Sequence, residues 1–186
     1  AGIKLCEFLR SQYGFDAISL MPTNLYGPKD NYNLENCHVL PALIRKFYEA
    51  KKNNLKSVTC WGSGKPLREF LHSDDLGEAC VYALENWNPN GLNSPRDDSG
   101  NPLLYLNAGT GIDISIKELA NLIADFTDFK GDILWDLTKP DGTFKKLLNI
   151  SRIKSIGWEP KISLKKGIKK IIEDFPTLYE KKLIKL

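Results

Sequence analysis

The residue whose type and position most suggest chemistry is His38, which stands between a polar loop and a predicted helix. Apolar residues recur at helical spacing after it and predict a helix from about Val39 to Asn53. The positive end of the helix dipole disfavours an imidazolium here, which would make His38 a readier proton donor. A histidine at a helix start can equally serve to cap or to pack, and the spacing alone leaves both interpretations open.

A short apolar run predicts the strand that carries the chain to this loop. Residues 16–21 are of the kind that fills a buried parallel strand. Pro22 is expected to end the strand, because proline cannot donate to the ladder. The Tyr26–Pro28 turn then crosses the strand's carboxyl end, where open α/β sheets bind their ligands.

An acidic pair and a glycine cluster look catalytic but favour structural interpretations. Asp74 and Asp75 open a predicted helix over 75–87, and Asp75 with Glu78 is typical of a capping box rather than a metal site. No lysine follows the cluster at 109–111 in the register of a phosphate-binding loop, so it is interpreted as a strand–helix turn.

Strands and helices alternate along the chain, which predicts an α/β fold. The other predicted helices are 1–13 ended by Gly14, one capped by Ser115 with Glu118, 147–156, and one capped by Ser163 and interrupted by Pro176. The other predicted strands are 57–61, 68–72, 103–107 and 132–137, and 87–102 is predicted to be a polar surface loop.

Composition excludes several classes of function. A net charge of +3 over 186 residues is mildly basic, and no aromatic-studded basic stripe suggests nucleic acid. The four cysteines include no C-x-x-C pair, which favours free thiols in a reducing compartment over disulfides or a zinc site. No apolar run approaches the roughly 20 residues of a membrane helix. We therefore expect a cytoplasmic protein without a metal site, nucleic-acid partner or membrane span.

The first residues, AGIKLCEFLR, already show the helical period without a capping residue. No glycine-rich dinucleotide fingerprint follows a strand anywhere in the sequence. The expectation is that the chain is a fragment of a longer protein.

Five short motifs carry a family resemblance. They are PTNLYGP from Pro22, N-x-HVxPAL-xRKF around His38, WGSGxPxREFLHxDD from Trp61, and LNxGTG from Leu106 followed by KPDGT from Lys139. In order and spacing they resemble the GDP-L-fucose synthases, which are extended short-chain dehydrogenase/reductases. The resemblance covers almost the whole chain. It implies the C-terminal part of an NAD(P)-binding Rossmann-type fold plus a small α/β substrate-binding domain.

By this resemblance, 1–28 and 103–111 would be the remnant of the dinucleotide-binding domain. Residues 29–102 and 112–186 would form the sugar-nucleotide-binding domain. The glycine-rich loop and the Ser/Tyr/Lys set for hydride transfer would lie upstream of Ala1. The isolated chain is accordingly expected not to oxidise NADPH.

The resemblance implies 3,5-epimerisation of GDP-4-keto-6-deoxy-D-mannose and then NADPH-dependent reduction at C4 to GDP-L-fucose. His38 matches the family's acid in the inversion and also a cofactor contact. Pro22, Thr23, Asn24 and Leu25 match the stretch beside the nicotinamide of NADP(H), although Pro22 and Leu25 can equally serve backbone shape alone.

Four residues match the family's contacts with the GDP-sugar. Arg68 is the expected phosphate ligand, because its planar fork suits bidentate contact. Lys46 stands where arginine is commoner, so the charge is kept and the fork is lost. Trp61 offers a flat face to the nucleotide, or is a core residue. Asp141 could bond hydroxyl or base N–H groups. Phe144–Lys145 replaces a commoner Pro-Arg pair, which leaves the path of this loop open.

Two alternative interpretations of the function remain open. Nucleotide-sugar 4-epimerases and 4,6-dehydratases share the YGP turn and the Asp-Asp pair but do not need an acid at His38. The chain could also be a catalytically inactive nucleotide-sugar-binding fragment.

The resemblance further implies a homodimer for the whole protein.

Overall fold

The computed structural model describes all 186 residues, which form six helices and eight strands. The helices are α1 (Gly2–Tyr13), α2 (Val39–Lys52), α3 (Ser73–Asn86), α4 (Ile116–Thr127), α5 (Ser151–Ser155) and α6 (Leu164–Glu180). The strands are β1 (Ser19–Pro22), β2 (Asn24–Tyr26), β3 (Ser57–Trp61), β4 (Leu67–His72), β5 (Tyr105–Ala108), β6 (Asp113–Ser115), β7 (Asp132–Asp136) and β8 (Lys145–Lys146).

The strands form three small sheets, and the predicted α/β class is confirmed. β1 pairs parallel with β5, and β3 pairs parallel with β7. β4 pairs parallel with β2 and β8 and antiparallel with β6. No helix of the chain combines the length and apolar character needed to cross a membrane.

Strand β4 lies between the two hydrophobic cores of the molecule. Successive side chains of a strand point to opposite faces. Phe70 belongs to the larger core, which α2, α4 and α6 supply, and Leu71 belongs to the smaller core with residues of α3, β5 and α5. By the same alternation Arg68 shares the face of Phe70, and Glu69 shares that of Leu71.

Strand β1 extends one residue further than predicted. Pro22 pairs with Ala108 instead of ending the strand. β1 has β5 as its one paired neighbour, and an edge strand accepts proline because its missing N–H can face away from the ladder. The chain then enters a different sheet as β2, which the sequence did not reveal because a three-residue strand has no readable period.

The capping box predicted at Asp75 and Glu78 is wrong. Helix α3 begins at Ser73, and its N-cap is His72, whose Nδ1 accepts from the backbone N–H of Asp74. Asp75 is 2% exposed and accepts from the backbone N–H groups of Lys161 and Ile162. Its carboxylate therefore holds a distant loop.

Three other helix predictions need correction. Pro176 does not interrupt the last helix, because α6 continues through it to Glu180 around the buried Phe175. The helix predicted over 147–156 is reduced to the short α5, since the chain before it runs along β4 as β8. Helical spacing in the sequence predicts Cys80 and Leu84 on the buried face of α3, but both are exposed and border an open apolar groove beside β1.

Candidate active site

A cavity of about 620 Å³ opens where β2, β4 and the start of α2 meet. This volume is in the range of small-molecule sites. Thr23, Asn24, Leu25, His38 and Arg68 line it, together with Tyr26, Gly27, Pro28, Asp30, Val39, Leu40, Phe70 and Ser73. Five predicted site residues from three separate segments therefore share one cavity.

His38 is the N-cap residue of α2 by backbone position, but its side chain makes no capping hydrogen bond. The imidazole is exposed at the cavity wall and so remains available to a ligand. The neighbouring thiol of Cys37 is half-buried, and burial raises its pKa. A thiol that stays protonated at neutral pH is a poor base, so His38 is a better candidate for proton transfer than its neighbour Cys37.

Arg68 connects the cavity to the loop between β7 and β8. Its Nη1 donates to the carbonyl of Leu67 at 2.8 Å. A Cβ built on Gly142 would lie 3.6 Å from Nη2 of Arg68. The guanidinium thus lies between the cavity of His38 and the loop that carries Asp141.

Two lysines converge on the exposed ring of Trp61. The Nζ atoms of Lys46 and Lys139 each lie 5.4 Å from the ring centroid. Trp61 is 61% exposed, so it is not a core residue. Lys46 also donates to the carbonyl of Thr59 at 3.0 Å, and neither lysine has a carboxylate partner. Two unpaired cations beside a flat aromatic face suit an anion attached to a planar group.

Lys139 is a candidate that the sequence prediction of site residues missed. Its signal was its place just before the Pro-Asp-Gly turn. Only the pairing of β3 with β7, which brings Asp136 beside Trp61, places this turn next to the tryptophan.

Asp141 is fixed by the turn after β3. Its Oδ1 accepts from the backbone N–H of Ser63 at 2.6 Å, and its Oδ2 accepts from the Ser63 hydroxyl at 2.7 Å. Gly62 makes this approach possible, since it has φ +77° and a Cβ there would overlap the Asp141 carboxylate. A ligand that bonds Asp141 must therefore use the remaining lone pairs or replace Ser63.

Similarity to known proteins places the chain in a family. Residues 1–93, half of the chain, match the NAD dependent epimerase/dehydratase family. The chain belongs to this family. It is 51% identical to GDP-L-fucose synthase 1 of Arabidopsis thaliana over 168 residues, which are 90% of the chain and 48% of the relative. The chain thus spans about half the length of the curated relatives it matches.

Solved structures agree with this assignment. A GDP-6-OMe-4-keto-L-xylo-heptose reductase from Campylobacter jejuni superposes with a TM-score of 0.82 at 36% identity, over 95% of the chain and 58% of that protein. A GDP-L-fucose synthetase from Naegleria fowleri bound to NADP gives 0.79 at 28% identity, over 96% of the chain and 54% of that protein.

The residues expected near a dinucleotide of this epimerase/dehydratase family follow β1. Thr23 donates its hydroxyl, and Asn24 its Nδ2, to the carbonyl of Glu69 at 3.3 and 2.7 Å. Asn24 therefore has its amide oxygen left for a ligand, which suits the N–H₂ group of a carboxamide, and the side chain of Leu25 adds apolar surface in the cavity. These residues fit a nicotinamide.

The contact between Ser63 and Asp141 predicts a pH dependence. The backbone N–H and hydroxyl of Ser63 hold the pKa of Asp141 below its ordinary value. The ionised carboxylate thus stabilises the folded loop at neutral pH, and this contribution disappears as the pH falls through the lowered pKa. We expect Ser63→Ala to raise the pKa of Asp141, which carboxyl-carbon NMR titration measures. An unchanged Asp141 titration would contradict this contact, and Ser99→Ala, in an exposed loop, provides the control.

Proposed function

We propose that this chain forms the sugar-nucleotide-binding part of a GDP-L-fucose synthase and contributes the proton donor of its epimerisation. The observation that carries the proposal is that Arg68 lines the cavity of His38 and also approaches Gly142, in the loop whose Lys139 lies over Trp61. His38 and Lys46 are eight residues apart on α2, which corresponds to about 12 Å of helix. In this arrangement His38 would face the sugar of a GDP-sugar, Arg68 its diphosphate, and Trp61 with its two lysines the nucleoside.

In this proposal the chain's charges hold the substrate by its diphosphate. Arg68 makes the charge-assisted contact for which its fork is suited. Lys46 and Lys139 supply two further positive charges beside Trp61, whose exposed face packs against the nucleoside. The apolar and polar walls of the cavity then place the 4-keto sugar next to His38.

The chemistry assigned to His38 is protonation. Both carbons to be inverted are adjacent to the C4 keto group, so loss of a proton gives an enolate and not a bare carbanion. Inversion needs a base on one face and an acid on the other. His38 delivers the proton to C3 and then to C5. The base lies outside this chain.

NADP(H) is the proposed cofactor, and it supplies the hydride that reduces C4 when bound. Thr23, Asn24 and Leu25 would hold its nicotinamide end, with Pro22 shaping the backbone and His38 at the boundary to the sugar. The orientation of Asn24 toward the cavity supports this role, because its amide oxygen is left without a protein donor in the structure.

The remaining features of the whole protein are also proposals. The dinucleotide-binding part would comprise 1–28 and 103–111, and the substrate-binding part 29–102 and 112–186. We propose that the whole protein is a homodimer. We also propose that it acts in the cytoplasm, because the four free thiols favour a reducing compartment.

The proposal is tested by giving the whole protein NADPH with a panel of keto sugars and sugar nucleotides. GDP-L-fucose formed from GDP-4-keto-6-deoxy-D-mannose supports it. Interconversion of C4 epimers without net NADPH consumption would instead identify a 4-epimerase. Dehydration of GDP-mannose would identify a 4,6-dehydratase, and ligand binding without turnover an inactive binding protein.

A further inference from the structure

Glu69 carries a completely buried carboxylate, since its exposure is 0%, and it does not line the cavity of His38. It forms no ion pair with a cation. Burial of such a group is costly unless backbone or side-chain donors satisfy it. Its surroundings therefore indicate what this carboxylate does.

Backbone N–H groups from two separate segments donate to the Glu69 side chain. Oε1 accepts from Thr110 at 2.5 Å and from Gly111 at 2.7 Å, and Oε2 accepts from Leu148 at 2.9 Å. Gly109 permits this packing, because a Cβ there would overlap the carboxylate. One side chain thus joins β4 to the turn after β5 and to the chain just beyond β8.

The backbone carbonyl of Glu69 makes a different set of contacts. It accepts from the side chains of Thr23 and Asn24. The neighbouring Arg68 points to the opposite face of β4 and lines the cavity. Glu69 is consequently at the junction of the cofactor-side residues, the guanidinium and the loop of Asp141.

We propose that Glu69 is a positioning residue that fixes the substrate-binding loop 137–148 against β4, so that Asp141 and Lys139 face Arg68 and Trp61. The inference rests on the proposed function for the identity of the ligand. The side chain of Glu69 anchors the loop through Leu148, and the backbone carbonyl of Glu69 anchors Thr23 and Asn24. A side-chain substitution therefore separates the two roles.

The test is Glu69→Gln in the whole protein. The amide keeps the volume, but its N–H₂ group must oppose a backbone N–H at one of the two oxygens. The loop and Arg68 then lose their alignment, and a misalignment of this kind lowers kcat/KM by roughly 10- to 100-fold. We expect this loss in kcat/KM for the GDP-keto sugar, mainly through KM. The KM for NADPH stays within about twofold, because the backbone carbonyl is unchanged.

Asp75→Asn is the matched control. Asp75 is also buried and also accepts two backbone N–H groups, but those belong to the loop before α6. We expect it to lower the melting temperature without the rise in sugar KM. A stability loss in Glu69→Gln with an unchanged sugar KM, or an equal KM rise in both variants, would overturn the positioning role.

Amide hydrogen exchange tests the anchor independently of activity. Glu69→Gln should accelerate exchange within 137–148 and at 110–111, whereas Asp75→Asn should accelerate it within 159–163. Unchanged exchange in the first two segments would overturn the inference whatever the substrate. A wild-type protein that leaves the keto sugar unchanged would instead refute the proposed function, and the exchange result would still decide the role of Glu69.

Discussion

His38→Gln should reduce inversion at C3 and C5 by about 10²–10⁴-fold, the usual contribution of a positioned general acid. Reduction at C4 uses other groups, so the variant should still reduce the un-inverted keto sugar slowly. Its product would be a GDP-6-deoxyhexose that is not L-fucose. Product analysis by NMR, with NADPH consumption followed in parallel, measures both steps.

If His38 served only to cap α2, its substitution would lower stability and affect inversion and reduction alike. The side chain makes no capping hydrogen bond, so its substitution should change stability little. Ser115→Ala is the matched control, because Ser115 forms a complete capping box with Glu118 and its loss costs about 0.5–2 kcal/mol. That variant should be less stable with an unchanged product ratio. Near-normal GDP-L-fucose formation by a folded His38→Gln variant would exclude the acid role.

Arg68→Ala should raise the KM for the GDP-keto sugar by roughly 10- to 150-fold, since a hydrogen bond to a charged group contributes about 1.5–3 kcal/mol. The value of kcat should change much less, because the diphosphate is bound alike in the ground state and the transition state. Steady-state kinetics at saturating NADPH measure the effect.

Arg68→Lys separates charge from geometry. Lysine keeps the positive charge without the planar fork, so it should recover only part of the lost affinity. Arg96→Ala, which removes an exposed arginine bonded to the carbonyl of Gly100, is the surface control and should leave KM unchanged. A collapse of kcat at constant KM would assign Arg68 a role in the chemical step instead.

Local sequence signals predicted the elements with strong periodicity. Helix α2 ends at Lys52 with Asn53 as its C-cap, the capping box of Ser115 and Glu118 is present, and β3 is Ser57–Trp61 as predicted. These features depend on residues within a few positions of one another. Their spacing is therefore visible in the chain itself.

The errors occurred where a distant segment decides the outcome. Asp75 has the spacing of a capping residue, but its carboxylate instead accepts hydrogen bonds from the backbone N–H groups of Lys161 and Ile162. Pro176 stays inside α6 because the helix buries Ile171 and Phe175, which are one turn apart on the same face. Local propensity is weaker than such tertiary contacts.

The candidate site shows the same division. The motifs indicated His38 and Arg68, but nothing local indicated that Lys139 lies over Trp61 or that Glu69 holds the end of its loop. Those contacts depend on the pairing of β3 with β7 and of β4 with β8. Strand pairing between distant segments was not readable from the sequence.

The reaction of the whole protein with GDP-4-keto-6-deoxy-D-mannose and NADPH in D₂O tests the central claim most directly. Each inversion removes a carbon-bound proton and returns one from solvent, whereas the hydride at C4 comes from NADPH. We predict GDP-L-fucose with deuterium at both C3 and C5 and protium at C4. A C4-reduced product that keeps protium and the original configuration at C3 and C5 would contradict the account.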